Sequence, residues 1–194
     1  MFYQEKNMIL KNINYISNKF MIVYWNGINY QGYYDLNELY EHGYGKMTYQ
    51  NGNIYEGNWD KGKRVGLGKF TDLINKCEYD GNWFDDKANG EGKYRRETNN
   101  SLSDTNKTIS VEYLGNWENG LKSGFGKQTV KHHYYTEIYE GYWKNNKYHG
   151  PGILKISFIN SNNPVIYEGT WINGNKKGIF RYTINESEKI TNYH

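Results

Sequence analysis

The sequence predicts an all-β protein: a single-layer, elongated, twisted antiparallel β-meander of about six stacked hairpins, without catalytic machinery. Three observations predict it. A Tyr-x-Gly-x-Trp string recurs along the chain. Spaced glycines follow each copy at a nearly constant distance. The composition joins 22 glycines and 18% aromatic residues with only 2 prolines. Disordered glycine-rich chains carry few aromatics, whereas many strands joined by tight turns use both.

The string stands at Tyr55-Gly57-Trp59, Tyr79-Gly81-Trp83, Tyr113-Gly115-Trp117, Tyr139-Gly141-Trp143 and Tyr167-Gly169-Trp171, with a variant at Tyr30-Gly32-Tyr34. A second glycine follows at Gly66, Gly90, Gly124, Gly150 and Gly178, and a third at Gly68, Gly92, Gly126 and Gly152. In the first copy the pair is Gly43 and Gly45; in the last, Phe180 takes the final glycine slot.

Period-two alternation puts Tyr, Gly and Trp of each first strand on one face. Setting Trp59 opposite Gly66 makes Gly57 face Gly68 and Tyr55 face Phe70. Large rings then lie over bare backbone. A glycine in a strand costs about 0.5–1 kcal/mol relative to alanine. Burying an aromatic ring recovers about 1.5–3 kcal/mol. The same register sets Glu56 opposite Lys69, Asp80 opposite Lys93 and Glu168 opposite Arg181, all of opposite charge, and pairs Leu114 with Lys127 and Glu140 with Ile153. Cross-strand charge pairs help to specify register.

The chain therefore divides into an N-terminal capping segment (1–23), a repeat domain (24–182) and a polar C-terminal tail (183–194) expected to fray. Repeats start near 30, 55, 79, 113, 139 and 167. Phe20 to Tyr24, before Asn26-Gly27, reads as one extra strand and turn. The longest gap between repeats holds an Asn-, Ser- and Thr-rich insertion at 95–110, read as an extended hairpin loop.

A net charge of +3 does not imply nucleic acid. The single cysteine, Cys77, excludes an intrachain disulfide and fits a reducing, cytoplasmic setting. His42 and His149 hold equivalent turn positions. His132 and His133 are strand neighbours on opposite faces, so neither pair makes a metal site. No catalytic residues, metal ligands or cofactor are expected.

Matched position by position, Tyr55-Glu56-Gly57-Asn58-Trp59, Gly62 and Gly66-Leu67-Gly68 resemble the unit of the MORN (membrane occupation and recognition nexus) repeat family. Tyr139-Glu140-Gly141-Tyr142-Trp143 through Gly150-Pro151-Gly152 resembles it too, with Asn146 in place of the turn glycine. The resemblance implies stacked MORN hairpins and a non-enzymatic scaffold or adaptor. It also implies a partner helix or extended peptide on the sheet face, such as the helical segment of a motor-protein tail, with a cytoskeletal or membrane setting.

Two surfaces follow from the pattern. The face opposite the glycines carries apolar residues, and Tyr44, Leu67, Leu114, Phe125, Tyr142 and Ile153 are the expected partner-binding set. The turns after each tryptophan are rich in Lys61, Lys63, Arg64, Lys122, Lys144, Lys147, Lys176 and Lys177. That basic edge is the alternative site, for anionic phospholipids. Terminal-repeat dimerisation, implied by the resemblance, points to Trp171, Ile179, Phe180 and Tyr182 as a homodimer interface.

Overall fold

The computed structural model describes residues 20–36, 39–98, 108–184 and 187–193. The fold is all-β, an antiparallel meander in which each strand follows its neighbour in chain order. It divides into two units, Met1–Lys87 and Ala88–His194. Residues 1–19 of the expected cap and 99–107 of the expected insertion lie outside the described residues.

The first unit contains β1 (Phe20–Trp25), β2 (Ile28–Asp35), β3 (Tyr40–Thr48), β4 (Ile54–Asp60), β5 (Lys63–Asp72) and β6 (Cys77–Phe84). The expected extra strand is β1, joined to β2 through Asn26-Gly27. The turn from β4 to β5 is Lys61-Gly62, with φ of 51° and 74°. Two successive positive φ values match the right-handed twist of the flanking strands, the geometry of a type I′ hairpin. The second unit contains β7 (Lys87–Glu97, all but its first residue), β8 (Thr108–Glu118), β9 (Leu121–His132), β10 (Tyr135–Lys144), β11 (Lys147–Phe158), β12 (Val165–Ile172), β13 (Asn175–Ile184) and β14 (Ser187–Tyr193). Its turns at Asn119-Gly120, Asn145-Asn146 and Asn173-Gly174 repeat the same left-handed pair. The flanks of the insertion are strand, with Arg95 opposite Glu112 and Glu97 opposite Ser110.

Gly57 faces Gly68 and Tyr55 faces Phe70, as the alternation predicts. Trp59, however, faces Arg64 rather than Gly66, because the register shifts after Gly57. The shift is a β-bulge, and Gly66, at φ 57°, takes the left-handed conformation it needs. Gly66 instead faces Trp83 on the following strand, and Gly43, Gly124 and Gly150 likewise face Trp59, Trp143 and Trp171. Each of these tryptophans thus answers a glycine of the preceding repeat.

A different ring fills the space over the glycine pair within a hairpin. Tyr55 lies across Gly57 and Gly68, so a methyl group on Gly68 would overlap the tyrosine ring and hydroxyl. The Tyr55 hydroxyl donates to the Asn58 carbonyl at 3.0 Å, and Tyr113 and Tyr139 repeat this with Asn116 and Tyr142. Burial pushes the pKa of these phenols well above the usual tyrosine value.

The tryptophans tie hairpin to hairpin. Trp83 Nε1 donates to the Gly68 carbonyl at 2.8 Å, and Trp143 Nε1 to Gly126 at 3.1 Å. In the first unit Tyr55 stands edge-on to Trp59 and Trp83, with centroids 4.9 and 5.4 Å away. In the second, Tyr139 meets Trp143 and Trp171 at 5.2 and 5.7 Å in the same way. Edge-to-face contact puts a positive ring edge against a negative ring face.

The C-terminal end differs from the expected frayed tail. Residues 187–193 form β14, paired with β13 from Gly178–Tyr193 to Ile184–Ser187. Phe180 fills the gap over Gly169 and is fully buried, with Tyr193 edge-on to it at 5.4 Å. A ring in the last glycine slot left an apolar surface that one more strand covers. Trp171 is also buried, so neither Trp171 nor Phe180 offers surface to a second copy. Tyr182 stacks on Tyr167, and of the four expected dimer residues Ile179 is the exposed one.

Candidate functional site

Two faces result in each unit. The inner face holds the Tyr, Gly and Trp positions. The outer face carries the residues between them, and every apolar residue expected there is exposed: Tyr44, Leu67, Leu114, Phe125, Tyr142 and Ile153. The two units arrange them differently. In the first, Tyr44 lies beside Asn58, and Leu67 beside Asn82, so polar groups interrupt the row. The Tyr44 hydroxyl donates to Glu56 at 3.0 Å, a bond that raises its pKa.

In the second unit Phe125 lies directly beside Tyr142, edge-on with centroids 5.7 Å apart. The position of Tyr142 is asparagine in three other repeats, at Asn58, Asn82 and Asn116. Asn58 and Asn116 bond back to the Leu67 and Phe125 carbonyls at 3.1 and 3.2 Å, across the bulge. Tyr142 trades that bond for exposed ring surface. Beside this pair opens a concavity of about 700 Å³ lined by Phe125, Tyr142, Pro151, Ile138 and Ile153, with Lys127, Glu140, Lys155 and Glu168 among its walls. Lys127 and Glu140 pair at 3.0 Å. Ile138 and Lys155 were not in the expected set. The alternation that places Glu140 and Tyr142 outward reaches Ile138 two residues earlier, so the signal for it was present.

The charged rows also pair across hairpins more than within them. Lys46 meets Glu56 at 3.8 Å and Lys69 meets Glu78 at 2.8 Å, so the expected Glu56–Lys69 neighbours each find their ion partner on the strand beyond. Glu168 and Arg181 pair within their hairpin at 3.9 Å.

The basic edge is dispersed. Because of the bulge, Arg64, Lys122 and Lys176 lie opposite Trp59, Trp117 and Trp171 and so point to the inner face. Arg64 covers the Trp83 ring at 4.2 Å and donates from Nε to Asp86 at 2.9 Å. Lys122 stands 4.8 Å from the Trp143 ring and Lys176 3.1 Å from that of Tyr167. Tyr148 takes the same place in its own repeat and stacks on Tyr139 at 3.7 Å. Lys63 is paired with Asp85. Lys61, Lys144, Lys147 and Lys177 remain exposed at the turns. His132 stacks on Tyr135 and His133 meets Tyr134, so the two imidazoles engage different rings.

Comparison with known proteins matches the MORN repeat at residues 40–54, 55–72, 79–101, 113–129, 139–156 and 167–179. The chain belongs to the MORN repeat family. It is 30% identical to alsin of Rattus norvegicus over 139 residues, which is 71% of this chain and 6% of that protein. Alsin of Mus musculus is 32% identical over 75 residues, 38% of this chain and 4% of its own length. The chain therefore spans a small part of these relatives. MORN membership points to a non-catalytic repeat module of the kind that meets proteins or membranes.

Proposed function

We propose that this chain is a protein-binding scaffold or adaptor whose outer sheet face, in the unit Ala88–His194, receives an amphipathic helical segment of a partner protein. The exposed Phe125–Tyr142 pair carries this reading. A contiguous apolar patch on a one-layer sheet is a surface for a partner. The concavity joins that pair to Ile138 and Ile153, while Lys127, Glu140, Lys155 and Glu168 supply both signs of charge at its walls. A helix with apolar residues at i, i+3, i+4 and i+7 offers a matching stripe with charged flanks. Binding to anionic phospholipids is the weaker reading, because Arg64, Lys122 and Lys176 lie on inner rings and Lys63 has its own carboxylate. A homodimer through the terminal repeat retains Ile179 as its exposed residue. The proposal includes a cytoplasmic setting, which the single cysteine supports.

A photo-crosslinking side chain at position 125 or 142, introduced in the native cell, tests the reading. The expected result is one discrete protein adduct that the same probe at Asn82 does not give. Equal adducts at all three positions, or lipid adducts alone, would count against it.

A further inference from the structure

The cations opposite Trp59 in the first unit and Trp117 in the second differ in their counter-charge. Arg64 in the first unit has a carboxylate: Asp86 Oδ1 accepts from its backbone N–H at 3.0 Å and from its Nε at 2.9 Å. Lys122 in the second unit has the same backbone bond, to Asn146 Oδ1 at 2.8 Å, but asparagine stands where the aspartate would be. The chain thus keeps the positioning hydrogen bond and drops the counter-charge.

What surrounds the Lys122 amine is neutral. Its side chain is half-buried against the Tyr113 and Trp143 rings, 5.0 and 4.8 Å from Nζ, and its side-chain acceptor is the Gln128 amide oxygen. Among the described residues no carboxylate lies within ion-pair distance of it. On the flanking β8, Tyr113 is held protonated by burial, and the Glu118 carboxylate accepts from Ser123 Oγ at 3.1 Å. Burial without a carboxylate partner favours the uncharged form of a primary amine, and here it outweighs the attraction of the two ring faces for the cation. Burial lowers the Lys122 pKa to about 8.

We propose that Lys122 is an acylation site: its free amine reacts directly with small acyl thioesters, without an enzyme. The neutral Nζ lone pair attacks the thioester carbonyl carbon. A C–N bond forms, the C–S bond breaks, the thiolate leaves, and the nitrogen gives one proton to solvent. The amide product keeps an N–H for Gln128 and no longer needs a counter-charge.

The test exposes the full native chain to the acetyl thioester of N-acetylcysteamine at limiting conversion, between about pH 6.5 and 10.5. Peptide mass spectrometry then gives the acetylation rate at Lys122 and at the exposed Lys144 and Lys147. Lys122 should react severalfold faster than either near pH 7.5, with a rate that levels off above about pH 8. The Asn146→Asp variant restores the carboxylate and should remove that advantage. A Lys122 rate no higher than those of Lys144 and Lys147, or a fast rate unchanged by Asn146→Asp, would overturn the proposal.

Discussion

The units Met1–Lys87 and Ala88–His194 share the Tyr, Gly and Trp positions of the inner face and differ in the side chains around them. Tyr55 over Gly57 and Gly68 in the first repeats as Tyr113 over Gly115 and Gly126 and Tyr139 over Gly141 and Gly152 in the second. The indole-to-glycine hydrogen bonds repeat likewise. The positions between those residues do not repeat: Asn58 beside Tyr44 becomes Tyr142 beside Phe125, and the Arg64–Asp86 pair becomes Lys122 with Asn146. The Tyr, Gly and Trp positions set the hairpin, and they recur in both units. The individuality of each unit lies in side chains that the hairpin does not require.

That contrast can be broken at its strongest point first. Gly68→Ala and Gly126→Ala, one in each unit, each push a methyl group into a fully buried tyrosine ring. Each should cost about 3 kcal/mol or more in denaturant unfolding. A marked difference between the two would mean that the inner faces are not equivalent. Trp143→Phe removes the donor to the Gly126 carbonyl as well as some buried surface. We expect a loss of about 2 kcal/mol, and a similar loss for Trp83→Phe.

The cation pair should separate the units by sign. Arg64→Met leaves the Asp86 carboxylate only the backbone N–H of residue 64 and destabilises by about 1 kcal/mol. Lys122→Met removes a charge that the fold disfavours, so it should stabilise by about 1 kcal/mol at pH 7. The pH dependence follows from the depressed pKa. The unfolded chain holds the Lys122 proton up to about pH 10.4, whereas the folded chain releases it near pH 8. Wild-type stability therefore rises relative to Lys122→Met between those values, and the advantage of the variant closes by about pH 10.5. A constant difference in thermal unfolding from pH 7 to 10.5 would contradict this.

The smallest effect on stability belongs to the outer face. Phe125→Asp and Tyr142→Asp should change unfolding by less than about 0.5 kcal/mol, because both side chains are half exposed. Partner capture should nevertheless be lost with either. Leu67→Asp in the first unit, where asparagines flank the leucine, should weaken it less.

Much of this was legible because period two is a local property. Reading alternate residues from Tyr139 places Gly141 and Trp143 inward and Tyr142 outward, and the structure has them so. The pairing of Gly57 with Gly68 and of Glu168 with Arg181 follows from the same count. The count fails beyond Gly57. The bulge there breaks the two-residue period, and a positive φ at Gly66 leaves no mark in an alternation pattern. The inward turn of Arg64, Lys122 and Lys176 went unread for that reason. Strand β14 went unread because its sequence is polar, and what recruits it is the Phe180 surface on β13.

By itself, then, the sequence determined the repeat and the faces of the Tyr, Gly and Trp strands, because these depend on spacing within one strand. Only the tertiary structure decided which hairpin each indole binds, which cations lose their counter-charge and where the apolar outer patch becomes continuous. Those depend on register between neighbouring strands, where a single bulged residue redirects a side chain from the sheet edge to the inner rings.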